Sequence, residues 1–360
     1  MRKGASARVA RFGVAAAMAC AVGGISAAAA APTTVAEIAN YTGQDRQQIL
    51  EDGAKREGAL MIYTTGTQIQ PLLDRFRQKY PYLRIQLPRA SSVEVAVKVT
   101  QEYAAGVFLV DAFELNADGL ILPREQGVLA PFTSPEAVNF EPNAIESGRH
   151  WISVRESYTG IGFNTTKISP AEAPRSYEDL LDPKWKGRMA VSGTLGTAGN
   201  WIGAMVVTHG ADFVQKLGRQ DIRVYQIAGR ALANLMIAGE VALSPTIYQS
   251  HVAASRAQGA PLAWNVPGPV PVTDTSAALA AKAPHPHAAM LFIDFLLSRE
   301  GQQTLQRADY FPARLDVPAS ADLDQIVPRK IGLHENFISP IKMDADLPRS
   351  RELYLQLFAR

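Results

Sequence analysis

The chain has 360 residues, with 36 Lys and Arg against 34 Asp and Glu, for a formal net charge of +2. Of its residues 47% are hydrophobic and only 19% charged, which excludes a disordered chain and supplies apolar material for two domains. No basic stripe points to nucleic acid, and beyond the N-terminal segment no apolar run reaches the ~20 residues needed to span a bilayer.

Arg2, Lys3, Arg8 and Arg11 precede an Ala-rich apolar run from Phe12 to Ile25 and then the small-residue stretch SAAAAAP. That order reads as a secretory signal peptide over residues 1–31, cleaved before Pro32. The single cysteine, Cys20, lies inside it, so the exported protein is expected to hold neither thiols nor disulfides. Lipid anchoring at Cys20 is disfavoured, because Ala17 in AMAC stands where a larger aliphatic residue is usual. Removal of the leader leaves 32 basic against 34 acidic side chains, a near-neutral protein expected in the periplasm.

After a polar helix (DRQQILEDGAKREG), ALMIYTTGT reads as a buried strand over Leu60–Tyr63 that ends in a Thr/Gly loop. IQPLLDRFRQKYP places Leu72, Leu73, Phe76 and Tyr80 on one helical face and stops at Pro81. LRIQLPRASS gives a second strand and a Ser-rich loop. VEVAVKVTQEYAAG is then a helix, and VFLVDAFEL a third strand whose end is expected to carry Asp111 and Glu114. The alternation predicts a doubly wound α/β lobe with parallel strands. RMAVSGTLGTAGNWIGAMVV and EVALSPTIYQSHVAASRAQG repeat it, predicting a second lobe, with a small-residue loop at Gly193–Ala198. ESYTGIGFNT and APLAWNVPGPVPVT are extended segments placed to cross between the lobes. From Ala283, APHPHAAMLFIDFLLSREGQQ is a helix entered through prolines, and SRELYLQLFAR is an amphipathic helix in a less legible tail.

Several of these segments resemble one family, the bacterial extracellular solute-binding proteins of ABC importers, in the ferric-iron-type branch. The resemblance is carried by YTTGT…LLDRFRQKYP, by YTGIGFNTTKISPAEAPRSYEDLLDPKWKGRMAVS, by LMIAGEVALSP and by APHPHAAMLFIDFLLSREGQQ, with SYEDLLDPKWKGRMAVS the most specific. It implies a type II periplasmic binding fold: two doubly wound lobes joined by hinge strands that close on a solute and present it to a membrane permease. The boundaries expected are lobe 1 over 32–157 plus 268–315, lobe 2 over 158–267, and a C-terminal helical segment over 316–360. A monomer with no cofactor of its own is expected.

Independently of the resemblance, ligands of open α/β sheets bind beyond the carboxyl ends of the strands, where loops enter helix N-termini. Those positions nominate Thr65, Gly66, Ser91, Ser92, Glu114, Thr194, Gly196, Thr197 and Tyr248 as ligand contacts. The loop SGTLGTAG would offer backbone N–H groups to an anion, against the plainer alternative that its glycines only permit a tight turn. Arg155 is the candidate bidentate partner for a carboxylate or phosphonate, with Arg89 as substitute and a structural ion pair as the competing role for either. Trp264 would wall the pocket or pack the hinge. His251 is a candidate pocket neighbour, Asp111 is expected to hold a turn, and His285 and His287 are expected on a solvated helix entrance rather than as a metal pair.

Fe(III) prefers several anionic oxygen donors. The resemblance implies two adjacent tyrosines after the GE-apolar motif, but here GEVALSPTIYQSH has Ile247 before Tyr248. Only Tyr248 and Glu114 would remain as ligands if the cargo were iron. An organic, phosphonate-like or carboxylate anion is therefore the expected solute and Fe(III) the alternative cargo. An exported enzyme is disfavoured, since no Gly-x-Ser-x-Gly, His-Glu-x-x-His, Walker A or dinucleotide pattern occurs.

Overall fold

The computed structural model of the chain describes Met1 and residues 34–67, 69–193, 195–268, 270–324, 327–333, 335–337, 349–350 and 352–358. Thr33–Arg360 forms one compact unit. The segment expected to be the leader, with Cys20, lies outside the described residues beyond Met1, as does Thr194.

The elements in chain order are α1 (Val35–Ala39), α2 (Arg46–Glu57), β1 (Ala59–Thr64), α3 (Gln70–Lys79), β2 (Arg84–Gln86), α4 (Ser92–Ala104), β3 (Ala112–Asn116), α5 (Ile121–Glu125), β4 (Leu129–Ala130) and β5 (Trp151–Asn164). There follow β6 (Ala190–Ser192), α6 (Leu195–His209), α7 (Ala211–Leu217), β7 (Arg223–Tyr225), α8 (Gly229–Ile237), β8 (Leu243–Tyr248), α9 (Gln249–Arg256) and β9 (Leu262–Asn265). The last are β10 (Val270–Ala280), α10 (Pro286–Leu297), α11 (Arg299–Arg307), β11 (Phe311–Pro312), α12 (Ala321–Asp324) and β12 (Glu335–Phe337).

Local chemistry sets the early boundaries. Gly58 ends α2 at φ 66°, a left-handed geometry that glycine adopts without steric cost. Ser91 opens α4 with a reciprocal capping box to Glu94. In α3, Leu72, Leu73 and Phe76 turn inward, and Phe76 meets Phe292 and Phe295 at ring-centroid distances of 5.3 and 5.2 Å. Every residue of α10 from Ala288 to Leu297 is buried; all are apolar except Asp294, which pairs with Arg46 at 3.0 Å. Burying each such Leu or Phe stabilises by about 1.5–3 kcal/mol.

The expected parallel strands are present as β2–β1–β3 and as β6–β7. The main sheet is nevertheless mixed, because β10 runs antiparallel between β3 and β5. β5 is its spine, 14 residues long where the sequence indicated only a short crossing. Its first half, to Tyr158, pairs with β10 and β11; its second half, from Thr159, pairs with β8 and β9. One apolar core collects residues from Ile38 to Val154 together with Ala277 to Ala313. Another collects Ile161 to Leu243 and takes Tyr354 and Phe358 from the C-terminal end.

Four expectations are corrected. Asp111 precedes β3 instead of ending it; it is fully buried and accepts the Met61 N–H at 2.7 Å. The small-residue stretch after β6 is no loop to Ala198, since α6 starts at Leu195: burial of Trp201, Ile202 and Met205 farther along outweighs the roughly 1 kcal/mol that each early glycine costs. The tail beyond Asp316 is not wholly helical, for β12 pairs in parallel with β10, while residues 352–358 are helical. Finally, His285 and His287 are only partly solvated, their side chains 30% and 17% exposed, and each is bonded to a carboxylate. His285 Nδ1 lies 2.9 Å from Asp111, and His287 Nδ1 2.6 Å from Glu57, which also accepts the N–H groups of His287 and Ala288 and so caps α10.

Candidate functional site

One face of the sheet near the middle of β5 is polar. Register places Thr64 beside Glu114, Thr275 opposite both Asn116 and Arg155, Thr273 opposite Ser157, and Tyr248 opposite Thr159. Directly paired residues share a face, so these side chains form one polar surface drawn from β1, β3, β5, β8 and β10.

Its centre is a buried ion pair. Arg155 Nε donates to Glu114 Oε1 at 3.0 Å, and the two side chains are 8% and 2% exposed. Glu114 Oε2 accepts from the Thr64 hydroxyl and from the Gly66 N–H at 3.2 Å. The guanidinium stacks over the Tyr310 ring at 4.3 Å. Held on two sides, it leaves its two terminal nitrogens without an acceptor among the described residues and not sealed from solvent. A guanidinium edge fixed in this way is pre-organised to receive a carboxylate or phosphate oxygen.

Tyr248 stands across from this pair at the start of α9. Its hydroxyl is engaged by Thr159 and Thr273, and burial raises its pKa, with the Asp118 charge acting in the same direction and Arg155 against it. The N-terminus of α9 has no side-chain cap, which leaves N–H groups beside Tyr248. His251 sits edge-on to the Tyr248 ring at 5.7 Å; burial, helped by Arg230, pushes its imidazole down to about 4, so it is neutral at ordinary pH. Tyr248, Gln249, Ser157 and Tyr310 line a small crevice where β8 and β11 leave the same edge of β5.

The sequence-predicted residues divide. Thr65, Gly66, Glu114, Arg155 and Tyr248 belong to this face and its bordering loop, and the Thr65 hydroxyl is buried without a partner among the described residues. Glu114 acts there as the group that positions Arg155 rather than as a free carboxylate. Ser91 is spent on the capping box, its hydroxyl donating to Glu94 at 2.8 Å. Ser92 packs against Gly119, where an added Cβ would come within 2.5 Å of the Ser92 Cβ. Gly196 and Thr197 lie in the first turn of α6. Arg89 is exposed, bridged to Thr64 only through the backbone. Trp264 Nε1 donates to the Ile247 carbonyl at 2.9 Å and its ring covers Gly160, which makes it packing at the β5–β9 seam. Thr159, Ser157, Thr273, Thr275 and Tyr310 were missed; the alternating PVTDT segment carried the only local signal, a period of two.

A family model described as bacterial extracellular solute-binding protein matches residues 120–331, and the chain belongs to that family. It is 24% identical over 263 residues to the Fe(3+)-binding periplasmic protein of Serratia marcescens, covering 69% of this chain and 75% of that one. Iron-bound HitA from Pseudomonas aeruginosa superposes with a TM-score of 0.72 at 20% identity, covering 82% of this chain and 99% of the other. The periplasmic binding protein AfuA of Actinobacillus pleuropneumoniae, solved with exogenous fructose-6-phosphate, gives 0.69 at 22% identity, over 84% and 99%. The fold is thus the type II periplasmic binding fold, and the similarity falls in the ferric-iron-type branch. Among the described residues no helix is long and apolar enough to cross a membrane.

Proposed function

We propose that this solute-binding protein is the periplasmic receptor of an ABC importer and that its cargo is a small organic anion bearing a phosphate, phosphonate or carboxylate group. The observation that carries the reading is the Arg155 guanidinium, locked from behind by Glu114 and Tyr310, with its outer edge unpartnered among the described residues and beside Tyr248. An anion would take the two terminal nitrogens, with the Tyr248 hydroxyl and the free N–H groups of α9 completing the cradle. Two lobes, 32–157 with 268–315 and 158–267, would close about β5 and β10, burying the solute before a permease receives it. The separate apolar cores on either side of Thr159 support that division.

Ferric iron is the second reading, favoured by the name of the Serratia relative and by the iron-bound HitA structure. The donor chemistry here runs against it. Tyr248 offers one phenolate, Ile247 beside it is fully buried hydrocarbon, and both oxygens of Glu114 are already engaged. Fe(III) would then lack the anionic oxygens it prefers.

The test is titration calorimetry with inorganic phosphate, 2-aminoethylphosphonate, glucose-6-phosphate, citrate and ferric citrate. At least one phosphorus or carboxylate anion is expected to bind, and Arg155→Ala is expected to weaken it by about 2–5 kcal/mol, roughly 30-fold or more. Strong uptake of ferric citrate with a visible Tyr–Fe(III) absorption band, and indifference to the other anions, would overturn the proposal.

A further inference from the structure

The ladder that carries Arg155 is interrupted next to it. β5 and β10 pair Ser157, Glu156 and Arg155 with Thr273, Asp274 and Thr275, and then pair Ser153 with Ser276. Val154 therefore has no opposite residue and is the extra residue of a β-bulge on β5. The bulge decides which face the arginine takes. Continued straight from Ile152–Ala277 and Ser153–Ser276, the ladder would set Val154 against Thr275 and Arg155 against Asp274. Glu114 is registered with Ala277, two residues from Thr275 and on its face, so a straight ladder would turn Arg155 away from Glu114.

One side chain from another element holds the bulge. Gln302 of α11 is fully buried, and its Nε2 donates to the Val154 carbonyl and to the Leu296 carbonyl, both at 2.9 Å. Its Oε1 accepts the Arg314 N–H at 3.3 Å, so both ends of the amide are engaged. The Ala313 N–H also reaches the Val154 carbonyl, at 3.3 Å. The same helix fixes what stands behind the guanidinium, because the Tyr310 N–H donates to the Leu305 carbonyl at 3.1 Å and Arg155 stacks on the Tyr310 ring. α11 is tied in turn to α3 through Glu300, which pairs with Arg75 and with Lys79.

We propose that Gln302 is the positioning residue of the anion site: by pinning the Val154 bulge it aims Arg155 at the cargo. The proposal rests on the reading of Arg155 as the anion-binding group. Without the amide, the buried Val154 carbonyl keeps only the longer bond from Ala313 among the described residues. A bulge whose extra residue is no longer held relaxes toward the straight ladder, and the guanidinium leaves Glu114 and the Tyr310 ring. Gln302 touches no ligand in this scheme; it acts through the backbone of the residue before Arg155.

The test is Gln302→Met, which keeps the length of the side chain and removes its hydrogen bonds. In heteronuclear NMR of the ligand-free protein, the Arg155 Nε–H signal is expected to shift in the variant and to exchange faster with solvent. Calorimetric titration with inorganic phosphate, 2-aminoethylphosphonate, glucose-6-phosphate and citrate is expected to give affinities about ten-fold or more below those of the wild type. Gln220→Met is the control for stability alone. Gln220 is also a buried glutamine, bonded to the Leu181 carbonyl at 2.6 Å, and its loss should leave the Arg155 signal and the affinities as in the wild type. An Arg155 signal or an affinity unchanged in Gln302→Met, or moved as far in Gln220→Met, overturns the proposal. If none of the four anions binds the wild type, the reading of Arg155 as an anion group fails, and the Nε–H signal alone decides on Gln302. If Gln302→Met does not fold, hydrogen exchange in the wild type decides: the Gln302 amide and the Arg155 Nε–H should be protected together, and an unprotected Nε–H beside a protected amide overturns the proposal.

Discussion

Replacing Glu114 by Ala removes the only acceptor of Arg155 Nε among the described residues and leaves a guanidinium 8% exposed without that counter-charge. It also strips the Thr64 hydroxyl and the Gly66 N–H of an acceptor. Removing one partner of a buried ion pair typically costs about 3–5 kcal/mol, because the survivor stays desolvated. For about 330 folded residues the unfolding entropy is of order 0.7 kcal/mol per kelvin, so the melting temperature should fall by about 4–7 °C. Glu114→Gln can keep the bonds from Thr64 and Gly66 on its amide oxygen, but its NH2 then faces the Arg155 Nε–H, so it gives up both the charge and that bond and should lose nearly as much. Urea denaturation and calorimetry of the ligand-free protein, at matched pH and salt, measure both. If both variants unfold within about 0.5 kcal/mol of the wild type, Glu114 holds nothing in place, and the positioning role given to it fails.

Two further perturbations probe the frame around the site. Gly160→Ala would place a Cβ within 2.5 Å of the Trp264 ring and 2.6 Å of the Asn265 carbonyl, so it should destabilise by about 1–3 kcal/mol; an unchanged urea midpoint contradicts the packing described. Glu57 is held below its usual range: burial alone would raise it, but His287 and the N–H groups of His287 and Ala288 outweigh that. A depressed carboxyl stabilises the fold above its unfolded pKa, and that contribution is lost as pH falls through its folded value. Glu57→Ala should therefore cost about 1–2 kcal/mol at neutral pH and progressively less below about pH 4, and an equal loss at both pH values refutes the capping role.

The alternation of apolar strands and amphipathic helices was legible because each element reports its own burial through a period of two or 3.6, and that needs no knowledge of distant residues. α2, β1, α3, β2 and α4 follow it closely. Small-residue stretches were the weak point. SGTLGTAG reads as a loop by propensity and becomes the first turn of α6, because packing of the residues that follow decides the matter.

At the site, the sequence determined which groups were present: Glu114, Arg155, Tyr248 and the isoleucine beside it. Only the tertiary structure decided their roles. Glu114 meets Arg155 across 41 residues of chain, and Asp274 opposes Glu156 across 118, through a register that no local pattern encodes. Strand pairing is set jointly by both partners and by an irregularity in the ladder, and a shift of one residue would exchange the two faces. Composition and periodicity therefore state what each segment buries, whereas the register of β5 against β10 determines whether an acid stands ready for a ligand, supports an arginine or faces another acid.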